Sequence, residues 1–116
     1  DERSTLVLNC LREEQHRGRS SHHYGRPGHI TGSLNAPAAD LFEPDGTFRP
    51  PESLRAFYAA RGWTPQMRVI AYCGGGIAAT GGAFALTALL GHDAVSVYDN
   101  SLQEWATDPD LPMSAG

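Results

Sequence analysis

Met67-Arg68-Val69-Ile70-Ala71-Tyr72-Cys73-Gly74-Gly75-Gly76-Ile77 is the stretch on which the fold turns. Residues 67–72 have the β-branched and aromatic content of a short strand. Three glycines follow Cys73 at once. Ile77 to Leu90 then runs as an Ala/Leu-rich helix of fourteen residues, ended by Gly91. It is apolar almost all round, so burial on most sides is expected. Downstream, Val95 to Tyr98 reads as a second strand. Asp99-Asn100-Ser101 is a turn or N-cap, and a short helix follows around Leu102 to Trp105. Residues 107–116 form a Pro-bearing tail. Upstream, Pro51-Glu52-Ser53 opens a helix with Leu54, Phe57, Tyr58 and Arg61 at helical spacing, stopped by Gly62. Leu41 to Pro50 is a loop with an Asp45-Gly46 turn. His29 to Asn35 holds a turn and a short strand, closed by Pro37. Gly18 to Gly28 is a polar loop, Glu13 to Arg17 a helical turn, and Thr5 to Cys10 a short buried strand. Strands alternating with helices predict an α/β domain with a mostly parallel central sheet.

The chain has 116 residues, which fits a single domain over 1–116. It opens on Asp1 rather than Met, so excision from a longer protein, and a second domain there, are allowed for. Hydrophobic residues at 41% and charged residues at 19% exclude disorder and fibre. All nine basic residues are Arg, set against thirteen acids, for a net charge of -4. That balance excludes a general nucleic-acid or membrane-surface binder. Without lysine there is no Schiff base and no P-loop lysine. The two cysteines, Cys10 and Cys73, are too few for a disulfide scaffold or a cysteine zinc site, so no metal is expected. No apolar run reaches membrane-spanning length and no signal peptide is recognised. A reducing, cytoplasmic location is the expectation.

Sites on open α/β sheets lie at the carboxyl ends of strands, and Cys73 is placed there. Glycines let successive N–H groups turn toward one atom, and the following helix adds its positive end. An ordinary thiol, with pKa near 8.5, is only a few per cent ionised at neutral pH; lowering it to about 6.5 takes roughly 2.7 kcal/mol. Aimed amides and a helix end supply energies of that order. An inert core cysteine is the plain alternative, but three consecutive glycines have no packing value. Two other readings compete. Gly74-x-Gly76-x-x-Ala79, with Asp99 twenty residues beyond Ala79, matches a dinucleotide fingerprint. Only one strand follows it, and it leaves Cys73 unused. A Cys-x5-Arg phosphatase loop fails because Ala79 stands where its Arg is required.

Taken together, four segments resemble a rhodanese-type sulfurtransferase domain. They are Leu6-Val7-Leu8-Asn9-Cys10, Gly28-His29-Ile30-Thr31-Gly32-Ser33-Leu34-Asn35-Ala36-Pro37, Val69-Ile70-Ala71-Tyr72-Cys73, and Leu90-Gly91-His92 through Val97-Tyr98-Asp99-Asn100-Ser101 to Glu104-Trp105. Their order is most similar to the C-terminal catalytic domain of two-domain thiosulfate or 3-mercaptopyruvate sulfurtransferases. The resemblance implies a five-stranded, mostly parallel sheet flanked by helices. It implies Cys73 as nucleophile and Gly74, Gly75, Gly76, Ile77 and Ala78 as the loop that cradles substrate and persulfide. It also implies a small-molecule sulfur donor, a cyanide or thiol acceptor, covalent ping-pong chemistry, and no metal or organic cofactor. Departures are visible. Asn9-Cys10-Leu11 replaces the family's Asp-x-Arg, Gln15 stands where donor-binding members carry Arg, and Ala78 replaces a frequent hydroxyl. These leave a non-catalytic binding or redox-sensing module as the alternative, with dinucleotide binding behind it.

The remaining candidates have bland readings beside their functional ones. His29 is read as structural. His22-His23, in a Ser/Arg-rich loop, is read as solvated rather than metal-binding. Cys10 is read as core filler before a thiol that resolves or relays sulfur. Tyr98 and Trp105 are expected under the loop or at the pocket mouth, and Trp63 in the core. Arg12, Arg17, Arg19 and Arg26 are expected on a solvated face that would also draw an anionic donor.

Overall fold

The computed structural model describes residues 4–20, 25–74, 77–98 and 101–115. Its strands are β1 (Thr5–Asn9), β2 (His29–Ile30), β3 (Leu34–Asn35), β4 (Arg68–Tyr72), β5 (Val95–Val97) and β6 (Met113–Ser114). Its helices are α1 (Glu13–His16), α2 (Pro51–Ala59), α3 (Ile77–Phe84) and α4 (Ser101–Trp105), with a 3-10 turn at Ala38–Leu41. The central sheet is parallel, in the order β3-β1-β4-β5. β1 and β4 pair over five positions, from Thr5 opposite Arg68 to Asn9 opposite Tyr72.

Alternation along these strands builds two faces. Leu6, Leu8 and Val69 pack with Leu54, Phe57, Tyr58, Trp63 and Leu86. Tyr72 points the other way, onto Leu102 and Ala106. α2 begins as expected, with Pro51 in its first turn, and Gly62 follows its end at φ +86°.

Three expectations are corrected. The parallel sheet has four strands among the described residues rather than five, because the 29–35 segment divides. β3 joins the sheet, whereas β2 pairs antiparallel with β6. The 107–116 segment is therefore no loose tail. Trp105 Nε1 and the Thr31 N–H both donate to the Pro112 carbonyl. Second, the helix from Ile77 is not buried on most sides. Ala79, Gly82, Ala85 and Leu86 face inward, but Thr80, Thr87 and Ala88 are exposed and Phe84 is 51% exposed. The chain widens into a π turn over Ala85–Leu89. One face on the sheet is all this helix is offered, and Phe84 turns out to stack on Phe48 at 5.5 Å. Third, Arg26 is not a solvated cation. Its guanidinium donates to the carbonyls of Trp105, Ala106 and Asp108, capping the end of α4.

Gly28 makes this closure possible. It sits at φ +105°, and a Cβ there would lie 2.1 Å from the Ser114 carbonyl oxygen. Gly28→Ala is expected to cost at least about 2 kcal/mol in urea unfolding. Gly46→Ala, at φ +90° with open space around it, serves as the control and should cost about 1 kcal/mol. Equal losses would show that the 28–114 approach is not a tight one.

Candidate active site

The carboxyl ends of β1 and β4 bring Cys10 and Cys73 to one place. Both are buried thiols, 4% and 2% exposed, in one apolar cluster with Ala71 and Ala79. Leu11, Ala38, Ala78 and Val97 pack around it. Gly74 is buried and Ile77 is the first residue of α3. Gly75 and Gly76 of the expected loop lie outside the described residues, as do His22, His23 and Asp99.

The backbone at Cys73 is tied from three sides. Its N–H donates to Ser101 Oγ at 3.0 Å, and that hydroxyl donates to the Tyr98 carbonyl at 2.6 Å. The Leu102 and Gln103 N–H groups donate to the carbonyls of Cys73 and Gly74, each at 3.0 Å. Ser101 is fully buried at φ +47°, a left-handed conformation uncommon for a non-glycine residue. Sequence reasoning took this serine for a turn or N-cap. Its position after a strand gives no sign that its partner is Cys73.

Asn9, which stands where the family's Asp-x-Arg begins, has both ends of its amide hydrogen-bonded. Its Oδ1 accepts from the Leu11 N–H at 3.0 Å, so its Nδ2 donates to His16 Nδ1 at 3.1 Å. The His16 carbonyl accepts from His29 Nδ1–H at 2.7 Å, and the two rings stack at 3.7 Å. His29 is therefore structural, as read. His16, which the sequence did not single out, must be neutral to accept from Asn9. Burial first, then the neighbouring His29 and Arg17, push its pKa down to about 4. On the other strand, Tyr72 Oη accepts from the Ile30 N–H. It donates to Ser33 Oγ, whose own proton goes to the Ile30 carbonyl.

The surrounding charges are mostly committed elsewhere. Arg17 lies 3.7 Å from Glu13. Arg12 lines a cleft of about 240 Å³ with Glu13, Glu14, Pro37, Ala39 and Asp40, so three acids share it with one cation. Ala38, which packs on the cysteine cluster, places this cleft beside the site. Tyr98 and Trp105 instead line an apolar cleft of about 550 Å³ with Val7, Ile30, Ile70 and Tyr72, on the opposite face of the sheet. Trp63 is in the core.

The model of the rhodanese-like domain matches residues 17–108. The sulfur carrier protein TtuD of Thermus thermophilus is 38% identical over 78% of this chain and 32% of its own length. A protein of Pseudomonas aeruginosa named as a 3-mercaptopyruvate sulfurtransferase is 41% identical, over 77% of this chain and 31% of its own. The chain thus spans about a third of the length of these curated relatives. A solved structure of EanB, with ergothioneine covalently linked with a persulfide cysteine, superposes with a TM-score of 0.82 at 25% identity. It covers 96% of this chain and 28% of that one.

As pH falls, the unfolded chain protonates His16 near 6.5 while the folded chain resists until about 4. The stability that this residue contributes is full above 6.5, is lost as pH falls through that interval, and levels off below about 4. In Asn9→Asp a carboxylate faces His16 Nδ1, so the His16 pKa should rise above its wild-type value in an NMR titration of the ring. An unchanged titration would refute the Asn9–His16 bond. Ser101→Ala strands the Cys73 N–H and should cost about 2 kcal/mol in urea unfolding. Ser101→Gly, relieved of the left-handed strain, should cost about 1 kcal/mol less than the alanine.

Proposed function

The chain belongs to the rhodanese-like domain family, and from that premise we propose that it is a sulfurtransferase acting through a persulfide on Cys73. The observation that carries this reading is the seat of Cys73. It stands at the carboxyl end of a central parallel strand, at the strand–helix junction, with its own N–H and C=O held by Ser101 and Leu102. Covalent sulfur transfer needs a thiolate whose position does not drift, and these bonds supply that fixity. The persulfide in EanB, a protein of matching fold, agrees with the reading.

The steps balance. The Cys73 thiolate attacks the outer sulfur of a thiosulfate or 3-mercaptopyruvate type donor. The donor's bond to that sulfur breaks, and sulfite or the pyruvate enolate leaves. Cys73 then carries a persulfide. Cyanide or a thiolate attacks the outer sulfur, and the Cys73 thiolate is regenerated. Neither step draws on a metal or organic cofactor. Loop amides from Gly74 to Ala78 and the start of α3 would meet the negative charge on sulfur. The dinucleotide reading is weakened because β5 alone joins the sheet after α3 among the described residues.

Intact mass after incubation with thiosulfate or 3-mercaptopyruvate tests this. Gain of one sulfur is expected in the wild type and not in Cys73→Ser. Thiocyanate formation should fall at least about 10³-fold in that variant. No adduct with any donor would sink the proposal.

A further inference from the structure

Cys10 follows the last residue of β1, and Cys73 follows the last residue of β4. Asn9 stands opposite Tyr72, and the Cys10 N–H donates to the Tyr72 carbonyl at 2.8 Å. Continued by one position, this parallel register sets Cys10 beside Cys73, with both side chains on one face of the sheet. Both thiols lie in the same apolar cluster. Adjacent strands are about 4.8 Å apart, inside the roughly 4.4–6.8 Å between Cα atoms that a disulfide spans. α3 is cut to fit the second thiol. A Cβ at Gly82 would lie 3.1 Å from Cys10 Sγ, so glycine there leaves the sulfur its room.

The geometry points to Cys10 as a resolving thiol that discharges a persulfide on Cys73, closing a Cys10–Cys73 disulfide and releasing sulfide. This rests on the persulfide reading above. The Cys10 S–H proton passes to the outer sulfur of the persulfide. The Cys10 sulfur then attacks Cys73 Sγ, the persulfide S–S bond breaks, and HS⁻ leaves. The outer sulfur is reduced to sulfide while the two cysteines become the disulfide. No external oxidant is consumed, because the sulfur arrives already oxidised from its donor. An external dithiol reopens the bond and restores Cys73.

The burial of Cys10 sets the tempo. Desolvation, and then the charge on Cys73, push its pKa up to about 12, so it remains a thiol at neutral pH. A thiol held protonated attacks slowly. The internal reaction then acts on a persulfide that has outlived its acceptor. Sulfur transfer is then followed by a lock rather than by a standing reactive persulfide.

The test charges the full 116-residue chain with thiosulfate, 3-mercaptopyruvate or inorganic polysulfide. The donor is removed, and intact mass and free sulfide are followed without reductant. The wild-type adduct should pass to a species two hydrogens lighter than the starting chain, with one equivalent of sulfide. Non-reducing tryptic digestion should then link peptide 4–12 to peptide 69–116. In Cys10→Ser the adduct should persist at least about tenfold longer. A wild-type adduct that decays no faster than in Cys10→Ser overturns the proposal and leaves the persulfide reading standing. So does sulfide release without the linked peptide, which decides the matter even if the variant fails to fold. No adduct with any of the three donors overturns both.

Discussion

The five-position parallel register between β1 and β4 is the constraint on which the rest depends. It sends Leu6, Leu8, Val69 and Ala71 to one face and Tyr72 to the other. A slip of one residue would exchange the faces, exposing the aliphatic set and driving Asn9 into the α2–α3 core. Leu6, Leu8 and Val69 each contribute about 1.5–3 kcal/mol by burial, so such a slip is not an accessible alternative. The same register fixes where the strands stop. Cys10 and Cys73 are neighbours because β1 and β4 end in step.

Two polar side chains that this packing buries are each met by two partners. Asn9, fully buried, divides its amide between the Leu11 N–H and His16. Tyr72, also fully buried, has its hydroxyl satisfied as donor and acceptor by Ser33 and Ile30. These bonds cross between segments that are distant in sequence. They tie α1 and the β2–β3 turn to the ends of the two central strands, where a low-dielectric setting makes an unmet group costly. An aspartate at position 9 would hold its charge against a neutral imidazole. An asparagine suits the neutral His16, to which it donates.

What the sequence made legible was local. β4, the glycines and α3 are consecutive, and each announces itself by side-chain type within a few residues. The seat of Cys73 was legible for that reason. β2 and β6 were not, because two-residue strands have no periodicity and their pairing joins distant parts of the chain. Arg26 was misread because a guanidinium bound to three carbonyls and one in water have the same sequence signature. Ser101 was legible as a turn before α4, but its Cys73 partner was not, because its conformation and that contact exist only after folding. The exposed flank of α3 escaped notice because Ala, Gly and Phe read as buried composition whichever way they face.

All nine arginines precede Val69. The segment that carries Cys73, α3 and α4 therefore has no Lys or Arg, while it contains Asp93, Asp99, Glu104, Asp108 and Asp110. Help from upstream is limited. Arg26 is bound to the end of α4, and Arg61 to the carbonyls of Asn35 and Phe57. The N–H of Cys73 itself is occupied by Ser101. On the proposed reading, negative charge on sulfur then leans on peptide dipoles such as those at the start of α3. Such dipoles are aimed by folding, need no reorganisation during the reaction, and are less screened by salt than an exposed cation. Their aim is only as good as the backbone that holds them. The position of the Cys73 backbone is thereby tied to Ser101, Leu102 and Gln103, and through β4 to the register with β1.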